Sequence, residues 1–196
     1  MMPGHDNKVI DTTDLTQYSF DTLLRNGIPV HLRAIRPDDK QKLLEGFHHL
    51  SSKSIYYRFL SAKRGLTGKE LKYLTEVDFL HHVAIVATVQ CEGGEKIVGV
   101  GRLVELPKAK IKRGAEVAFT VDDKHQNLGI GTILFEQLVL IAQSMGISNL
   151  EADVLQSNKN MLEIFQYSGF ELHTTTKFNV LHIEFCITEQ TLNRFY

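Results

Sequence analysis

The sequence predicts a single α/β domain of the α+β kind, with a mixed, mostly antiparallel central sheet flanked by helices. Short runs rich in Val, Ile and Ala alternate, in the second half of the chain, with two segments that carry apolar residues at helical spacing. The first half contains paired strand patterns around turn residues. A length of 196 residues fits one such domain better than two.

The composition excludes several classes of protein. Hydrophobic residues make up 43% and charged residues 23%, which is typical of a globular chain. Lys and Arg number 22 against 23 Asp and Glu, a balance that argues against nucleic-acid and membrane-surface partners. Two cysteines are too few for a disulfide framework or a cysteine-based zinc site. The N-terminus lacks an apolar signal core, and we therefore expect a cytoplasmic protein.

The N-terminal part begins with a polar, aperiodic stretch. We expect residues 1–20 to form an arm and residues 21–196 to form the domain. Thr22–Leu24 and Val30–Ile35 flank Arg25-Asn26-Gly27, and this turn predicts a β-hairpin.

Three helical segments are predicted next. Pro37-Asp38-Asp39 opens the first, with acids in its first turn and apolar residues at helical spacing up to Leu50. A short one covers Ser54 to Leu60. The third runs from Thr67 to about Val77, where Glu70 completes a capping box.

The remaining elements follow in order. A predicted hairpin, 83–90 with 96–106, is followed by the basic loop 107–113, which is either solvated or receives an anionic group. Predicted strands then cover 115–122, 150–155, 170–176 and 180–187. The helix over 129–145 is apolar on most of its circumference and is expected to pack on more than one side. The helix over 159–168 ends at a glycine cap.

The most distinctive segment is Gln126-Asn127-Leu128-Gly129-Ile130-Gly131-Thr132, between a strand and the long helix. Glycines at a helix entrance let the backbone approach a ligand, and the unpaired N–H groups of the first turn can hold a pyrophosphate. The alternative is a helix start whose glycines serve tight packing. A dinucleotide fingerprint and a Walker loop are both excluded, because their further glycine and lysine positions do not match.

This segment resembles the acyl-CoA pyrophosphate loop of the GNAT superfamily of N-acetyltransferases, Gln/Arg-x-x-Gly-x-Gly/Ala, at Gln126, Gly129 and Gly131. Asn158 and Tyr167-Ser168-Gly169-Phe170 are similar to the family's second conserved block. The resemblance implies a GNAT fold with a V-shaped split between strands 4 and 5. It also implies acetyl-CoA as co-substrate.

A closer similarity is to the GNAT domain of bacterial protein lysine acetyltransferases of the Pat type. The matching stretches are Leu32–Asp39, Leu50–Phe59, Thr75–Asp78 and Ala115–Ala118. The resemblance implies direct transfer of an acetyl group from acetyl-CoA to an amine, most simply a protein lysine. A small-molecule amine acceptor, and a non-catalytic acyl-CoA sensor, remain as alternatives.

Glu116 is the candidate catalytic base that the resemblance implies, because a protonated amine must lose a proton before it attacks. Alternation along a strand places Glu116, Ala118 and Thr120 on one face. The alternative is a solvated carboxylate at the end of a strand.

The cofactor-binding residues implied by the resemblance include the backbone N–H groups of strand residues, which would stabilise an oxyanion and pair with pantetheine. Asn158 either caps the following helix or bonds the pantetheine arm. Phe165 stands where many GNAT enzymes have a tyrosine acid, and phenylalanine cannot donate a proton. The complete set is Phe119, Thr120, Val121, Gln126, Asn127, Leu128, Gly129, Ile130, Gly131, Thr132, Asn158 and Phe165.

No metal is expected. The histidine pairs His48-His49 and His81-His82 are adjacent in sequence, so their side chains diverge, and there is no His-Glu-x-x-His pattern. The oligomeric state stays open, with a homodimer among the alternatives.

Overall fold

The computed structural model describes residues 12–107 and 113–188. Within them, eight strands form one sheet: β1 (Ser19–Leu23), β2 (Pro29–Ala34), β3 (His82–Cys91), β4 (Gly94–Glu105), β5 (Gly114–Val121), β6 (Asn149–Leu155), β7 (Leu172–Lys177) and β8 (Val180–Cys186). The α-helices are α1 (Lys40–His49), α2 (Ser52–Phe59), α3 (Gly68–Thr75), α4 (Ile130–Ser144) and α5 (Lys159–Tyr167). None of the helices in these two ranges is long and apolar enough to cross a membrane.

The sheet has the order β1-β2-β3-β4-β5-β6-β8-β7, and every neighbouring pair is antiparallel except β5 with β6. The parallel pairing joins Gly114–Glu116 to Asn149–Glu151 and goes no further. Beyond it the two strands separate. The predicted mixed sheet is therefore confirmed, and so is the split, since β5 and β6 are strands 4 and 5 when β1 is left out of the count.

The main core lies between α4 and the sheet, and glycines of β4 allow the close approach. A Cβ atom on Gly99 would lie 2.9 Å from Cγ2 of Ile130, and one on Gly101 would lie 2.9 Å from Cδ1 of Leu138. Real Cβ atoms do not come so close to carbon, so α4 packs where only glycine fits. Its apolar circumference is buried as the sequence predicts.

An aromatic cluster joins β5, α4, α5 and β8 beside this core. The ring of Phe165 lies 5.2 Å from that of Phe135, 5.9 Å from that of Phe185 and 6.2 Å from that of Phe119, measured between centroids. Aromatic pairs at these separations add to the stability that burial provides. Phe165 is 1% exposed and belongs to this cluster.

Helices α1, α2 and α3 cover part of the opposite face of the sheet. A smaller apolar cluster of Ile35, Ala84, Val86 and Ile97 lies there. The capping box predicted at Thr67 and Glu70 is present at the start of α3. The first of the three predicted helices opens with a short 3₁₀ turn at Pro37–Asp39 before α1 begins.

Residues 12–20, which fall in the arm predicted for residues 1–20, pack against the domain. Thr12–Gln17 forms a 3₁₀ segment, and Leu15 and Tyr18 are buried. The Tyr18 hydroxyl donates a hydrogen bond of 2.8 Å to Oε1 of the buried Gln137 in α4. Two isolated apolar residues in a polar stretch produce no periodicity, so this docking could not be predicted from the sequence. Residues 1–11, 108–112 and 189–196 lie outside the described ranges, including most of the basic loop.

Candidate functional site

A cavity of about 770 Å³ runs from the end of β5, past the beginning of α4, to α5. Helix α2 forms its opposite wall through Ser54, Tyr57 and Arg58. Cavities of several hundred Å³ are the usual size of ligand sites. Its lining residues from β5, α4 and α5 show that the cavity occupies the space that opens where β5 and β6 separate.

Most of the sequence-predicted cofactor residues line this cavity: Phe119, Thr120, Val121, Gln126, Asn127, Gly129, Gly131, Thr132 and Asn158. Three others lie elsewhere. The side chain of Ile130, the first residue of α4, points toward the sheet and lies against Gly99. Phe165 belongs to the aromatic cluster, and Leu128 packs against the main core. Any contact of these three with a ligand would therefore involve their backbone or would be indirect.

The free edge of β5 faces the split. Backbone groups of a strand alternate between its two neighbours. The Asp122 N–H donates to the Val98 carbonyl on the β4 side, 2.8 Å away, so the N–H groups of Phe119 and Val121 point to the other side. The register with β6 ends at Glu116, before these residues. This edge can pair with an extended amide-bearing ligand.

Glycine is favoured at positions 129 and 131, at the start of α4, for two different local reasons. Gly129 has φ +97°, in the left-handed region that glycine tolerates best. At Gly131 a Cβ atom would lie 2.9 Å from Cδ1 of Ile164 in α5. Both the ligand interpretation and the packing interpretation of this loop are thus compatible with its geometry.

The first turn of α4 presents hydrogen-bond donors to the cavity. The N–H of Ile133 donates to Gly129 O at 3.0 Å, which is the first bond of the helix. The N–H groups of Ile130, Gly131 and Thr132 come before it and have no helical acceptor. With the positive end of the helix dipole, they form a setting that favours an anion such as a phosphate.

Gln126 ties this loop to its surroundings. Its Nε2 donates to Oδ1 of Asp123 at 2.8 Å and to the carbonyl of Val121 at 3.3 Å. The Asp123 carboxylate also accepts hydrogen bonds from the Ser54 hydroxyl and the Ser51 N–H, at the beginning of α2. The negative charge of Asp123 thus lies at the N-terminus of α2, where it stabilises the helix. Gln126 and Asp123 hold together three walls of the cavity.

Asn158 caps α5, since its Oδ1 accepts from the Met161 N–H at 3.4 Å. This is one of the two roles that the sequence leaves open, and Asn158 also lines the cavity. Beside it, the Tyr57 hydroxyl of α2 donates to the Ser157 carbonyl at 2.7 Å. This bond bridges the cavity from α2 to the loop that follows β6.

Glu116 lies at the vertex of the split, directly beside Glu151 in the parallel register. Its side chain is exposed, while Ala115 and Val117 are buried, as the predicted alternation requires. The register runs without interruption through β5, so Glu116, Ala118 and Thr120 share the face toward α2. Glu116 is outside the lining of the large cavity but beside it.

Two arginines lie on the same face as Glu116. Burial lowers the pKa of Arg58, and the nearby Glu116 carboxylate acts in the opposite direction. Burial and the charge of Arg58 lower the pKa of Arg102 to about 9. Arg102 donates to the Leu74 carbonyl at 2.6 Å. Burial, with the charge of Arg102, also lowers the pKa of His82 to about 4. Glu116 therefore has cationic neighbours on its α2 side.

On its other side Glu116 adjoins an acidic surface, formed by Glu151, Asp153, His182 and Glu184 of β6 and β8. The His182 Nδ1 lies 2.8 Å from Oδ1 of Asp153, and this hydrogen bond, with the surrounding carboxylates, raises the pKa of His182. Burial, followed by the charges of Glu116 and Glu184, raises the pKa of Glu151 despite the opposing effect of His182. One potential ligand atom each of Glu151, His182 and Glu184 lies within 4.8 Å of the others.

The structure also brings forward residues that sequence reasoning did not select. Arg25, Arg58 and Lys159 line the cavity with their cationic side chains. Arg25 comes from the turn between β1 and β2, about a hundred positions before the loop it contacts. Separations of this kind leave no periodicity or spacing in the sequence.

Comparison with known proteins agrees with this arrangement. Residues 53–170 match the model of the Acetyltransferase (GNAT) family. The chain is 34% identical over 146 residues to the acetyltransferase Pat of Mycolicibacterium smegmatis, covering 74% of this chain and 42% of that protein. The chain thus spans less than half the length of this relative.

Solved structures show the same fold. The GNAT domain of S. lividans PAT superposes with a TM-score of 0.78 at 30% identity, covering 86% of this chain and 97% of that domain. The Salmonella typhimurium protein yncA, solved with its cofactor acetyl-CoA, superposes with a TM-score of 0.65 at 15% identity, covering 82% of this chain and 95% of that protein. The split sheet, the loop before α4 and the family match together show that the chain belongs to the GNAT acetyltransferase family.

Proposed function

We propose that this chain is an acetyl-CoA-dependent N-acetyltransferase that acts on protein lysine side chains. The observation that carries the proposal is the meeting of three features at one split. These are the free edge of β5, the N-terminus of α4 and the carboxylate of Glu116. Each supplies one of the interactions that thioester aminolysis requires.

The cavity residues have distinct roles in holding the co-substrate. The N–H groups of Phe119 and Val121 are free to pair with the amides of the pantetheine arm. Those of Ile130, Gly131 and Thr132 bind the diphosphate. In the tetrahedral intermediate, a β5 N–H that already points into the split stabilises the developing oxyanion without rearrangement.

Glu116 acts as the general base. It accepts a proton from the ammonium group, directly or through water, and the neutral nitrogen then attacks the thioester carbon. A C–N bond forms, the nitrogen loses its second proton to water, and the C–S bond breaks, so that the electron pair leaves on sulfur. A thiol with an ordinary pKa of about 8.5 leaves readily near neutral pH. Phe165 is buried and has no proton to donate, so solvent can protonate the thiolate.

The charges around Glu116 support a cationic acceptor such as lysine. The acidic surface of Glu151, Asp153 and Glu184 is exposed or half-buried and adjoins the proposed base. Opposite charge raises the local concentration of a positively charged substrate and speeds its encounter. An open, acidic face suits a lysine carried on a larger protein surface.

The role of Glu116 is tested by Glu116→Gln, which keeps size and removes the base. We expect acetyl transfer to fall by about 10²- to 10⁴-fold, the usual contribution of a general base. Affinity for acetyl-CoA should stay unchanged. Transfer is followed by thiol release, and Glu171→Gln, an exposed glutamate before β7, serves as the control. Wild-type turnover by Glu116→Gln would remove the assigned role.

The acceptor class is tested with lysine peptides, polyamines and free amino acids as substrates. We expect the lysine peptides to give the highest kcat/KM. Glu184→Lys should raise their KM because it reverses a charge on the acidic surface, whereas Glu171→Lys should not. A preference for a polyamine or amino acid would favour a small-molecule acetyltransferase. Acetyl-CoA binding without turnover of any amine would favour a sensor.

A further inference from the structure

The turn between β1 and β2 packs against the loop that precedes α4. The N–H of Arg25 donates to the carbonyl of Leu128 at 3.1 Å. Within the turn, Leu24 N–H donates to the Ile28 carbonyl at 2.9 Å, and Gly27 N–H donates to the Leu24 carbonyl at 2.8 Å. The backbone of Arg25 is thus fixed both by its own turn and by the loop.

The side chain of Arg25 lies over Gly129. A Cβ atom built on Gly129 would lie 3.6 Å from both Cγ and Nε of Arg25, in ordinary van der Waals contact. Because the stem of Arg25 covers the backbone at this point, its guanidinium is held at the edge of the first turn of α4. Arg25 also lines the large cavity.

The guanidinium of Arg25 has no carboxylate partner among residues 12–107 and 113–188. By contrast, Arg33 and Arg113 each form ion pairs with carboxylates in the same structure. An arginine presents five donors in a planar fork that matches the oxygens of a phosphate. Its charge and donors are therefore available to a ligand in the cavity.

We propose that Arg25 is a phosphate-binding residue, which pairs with the diphosphate of coenzyme A at the start of α4. The inference rests on the proposed function, since it assumes that an acyl-CoA occupies this cavity. It adds a cation to a group of N–H donors that carry only partial charges. Arg25 lies outside residues 53–170, the part that matches the family model, so this contribution comes from the N-terminal hairpin.

Arg25 can be substituted without removing the hydrogen bond between its backbone and the loop before α4. The hydrogen bond to Leu128 is made by the backbone N–H, which every residue except proline retains. The side chain is exposed, so Arg25→Ala is expected to fold normally. An unchanged thermal unfolding midpoint checks this expectation.

The test measures the affinities of the full chain for coenzyme A and for 3′-dephospho-coenzyme A by calorimetry. We expect Arg25→Ala to weaken both by about tenfold, the effect of one charge-assisted hydrogen bond. The dependence of affinity on salt concentration should also decrease. Arg25→Lys should keep part of the affinity. Arg64→Ala, which removes an exposed arginine outside the cavity, is the control of equal charge.

Wild-type affinity in Arg25→Ala would overturn the inference and leave the proposed function intact. A loss confined to coenzyme A would overturn it too, because it would place Arg25 at the 3′-phosphate. A loss of the same size in Arg64→Ala would show a general effect of net charge and would also contradict the assignment. If the wild-type chain binds neither ligand, the proposed function fails together with the inference.

Discussion

Arg33 is the most completely paired cation of the described chain. Its guanidinium donates two hydrogen bonds of 2.7 Å to the buried Asp39 and two further bonds to Glu95. Lys42 also donates to Glu95 at 2.7 Å. These contacts join β2, the 3₁₀ turn before α1 and β4. They lower the pKa of Glu95 to about 2, with the hydrogen bond from Arg33 as the largest cause.

A carboxylate with a lowered pKa makes stability depend on pH. The contribution of Glu95 is fully present above its ordinary pKa of 4.5 and is lost as the pH falls toward 2. We expect Glu95→Gln to lower the free energy of unfolding near neutral pH by up to about 3 kcal/mol, and the difference from wild type to shrink between pH 4.5 and 2. Urea unfolding of both proteins at several pH values measures this difference in the free energy of unfolding. A difference that stays constant across this range would contradict the assignment.

At the scale of elements, the position of α4 depends on the glycines of β4. Helix α4 lies directly on Gly99 and Gly101, and its first turn forms one end of the cavity. The packing of α4 against β4 therefore sets where the N–H groups of its first turn are presented.

Gly99→Ala tests this packing. The added carbon would lie 2.9 Å from Ile130 Cγ2 and 3.0 Å from Leu134 Cδ1, so α4 or its side chains must shift. We expect the free energy of unfolding to fall by about 1–3 kcal/mol, as in other overpacked cores. Gly93→Ala is the control, because its Cβ meets nothing within 4 Å. Equal stability of the two variants in denaturant titrations would contradict this description of the core.

The elements with clear periodicity were predictable from the sequence, and the contacts between distant segments were not. The strands of the main sheet and the apolar helix α4 follow from alternation and helical spacing. The loop before α4 was predictable from Gln126, Gly129 and Gly131. The contacts of Asp123 with Ser54, and of Arg25 with the loop, join segments far apart in sequence, so only the fold reveals them. The buried Leu15 in a polar stretch escaped prediction for a similar reason.

At the scale of the whole molecule, one change of strand direction creates the site. The parallel pairing of β5 with β6 lasts for three residues on each strand, and the cavity opens beyond it. Helices α2, α4 and α5 then line that opening from three sides. The acidic surface of β6 and β8 adjoins Glu116 on the same face of the sheet, beside this opening. In the proposed reaction, the acceptor amine approaches Glu116 across this surface.

In the proposed complex, a coenzyme A thioester lies along the free edge of β5 with its diphosphate on the first turn of α4. Hydrogen–deuterium exchange with and without saturating acetyl-CoA measures whether these two segments bind the ligand. We expect slower exchange in residues 117–121 and 126–133, and unchanged exchange in β7. Saturable binding of acetyl-CoA with no protection in either segment would contradict it.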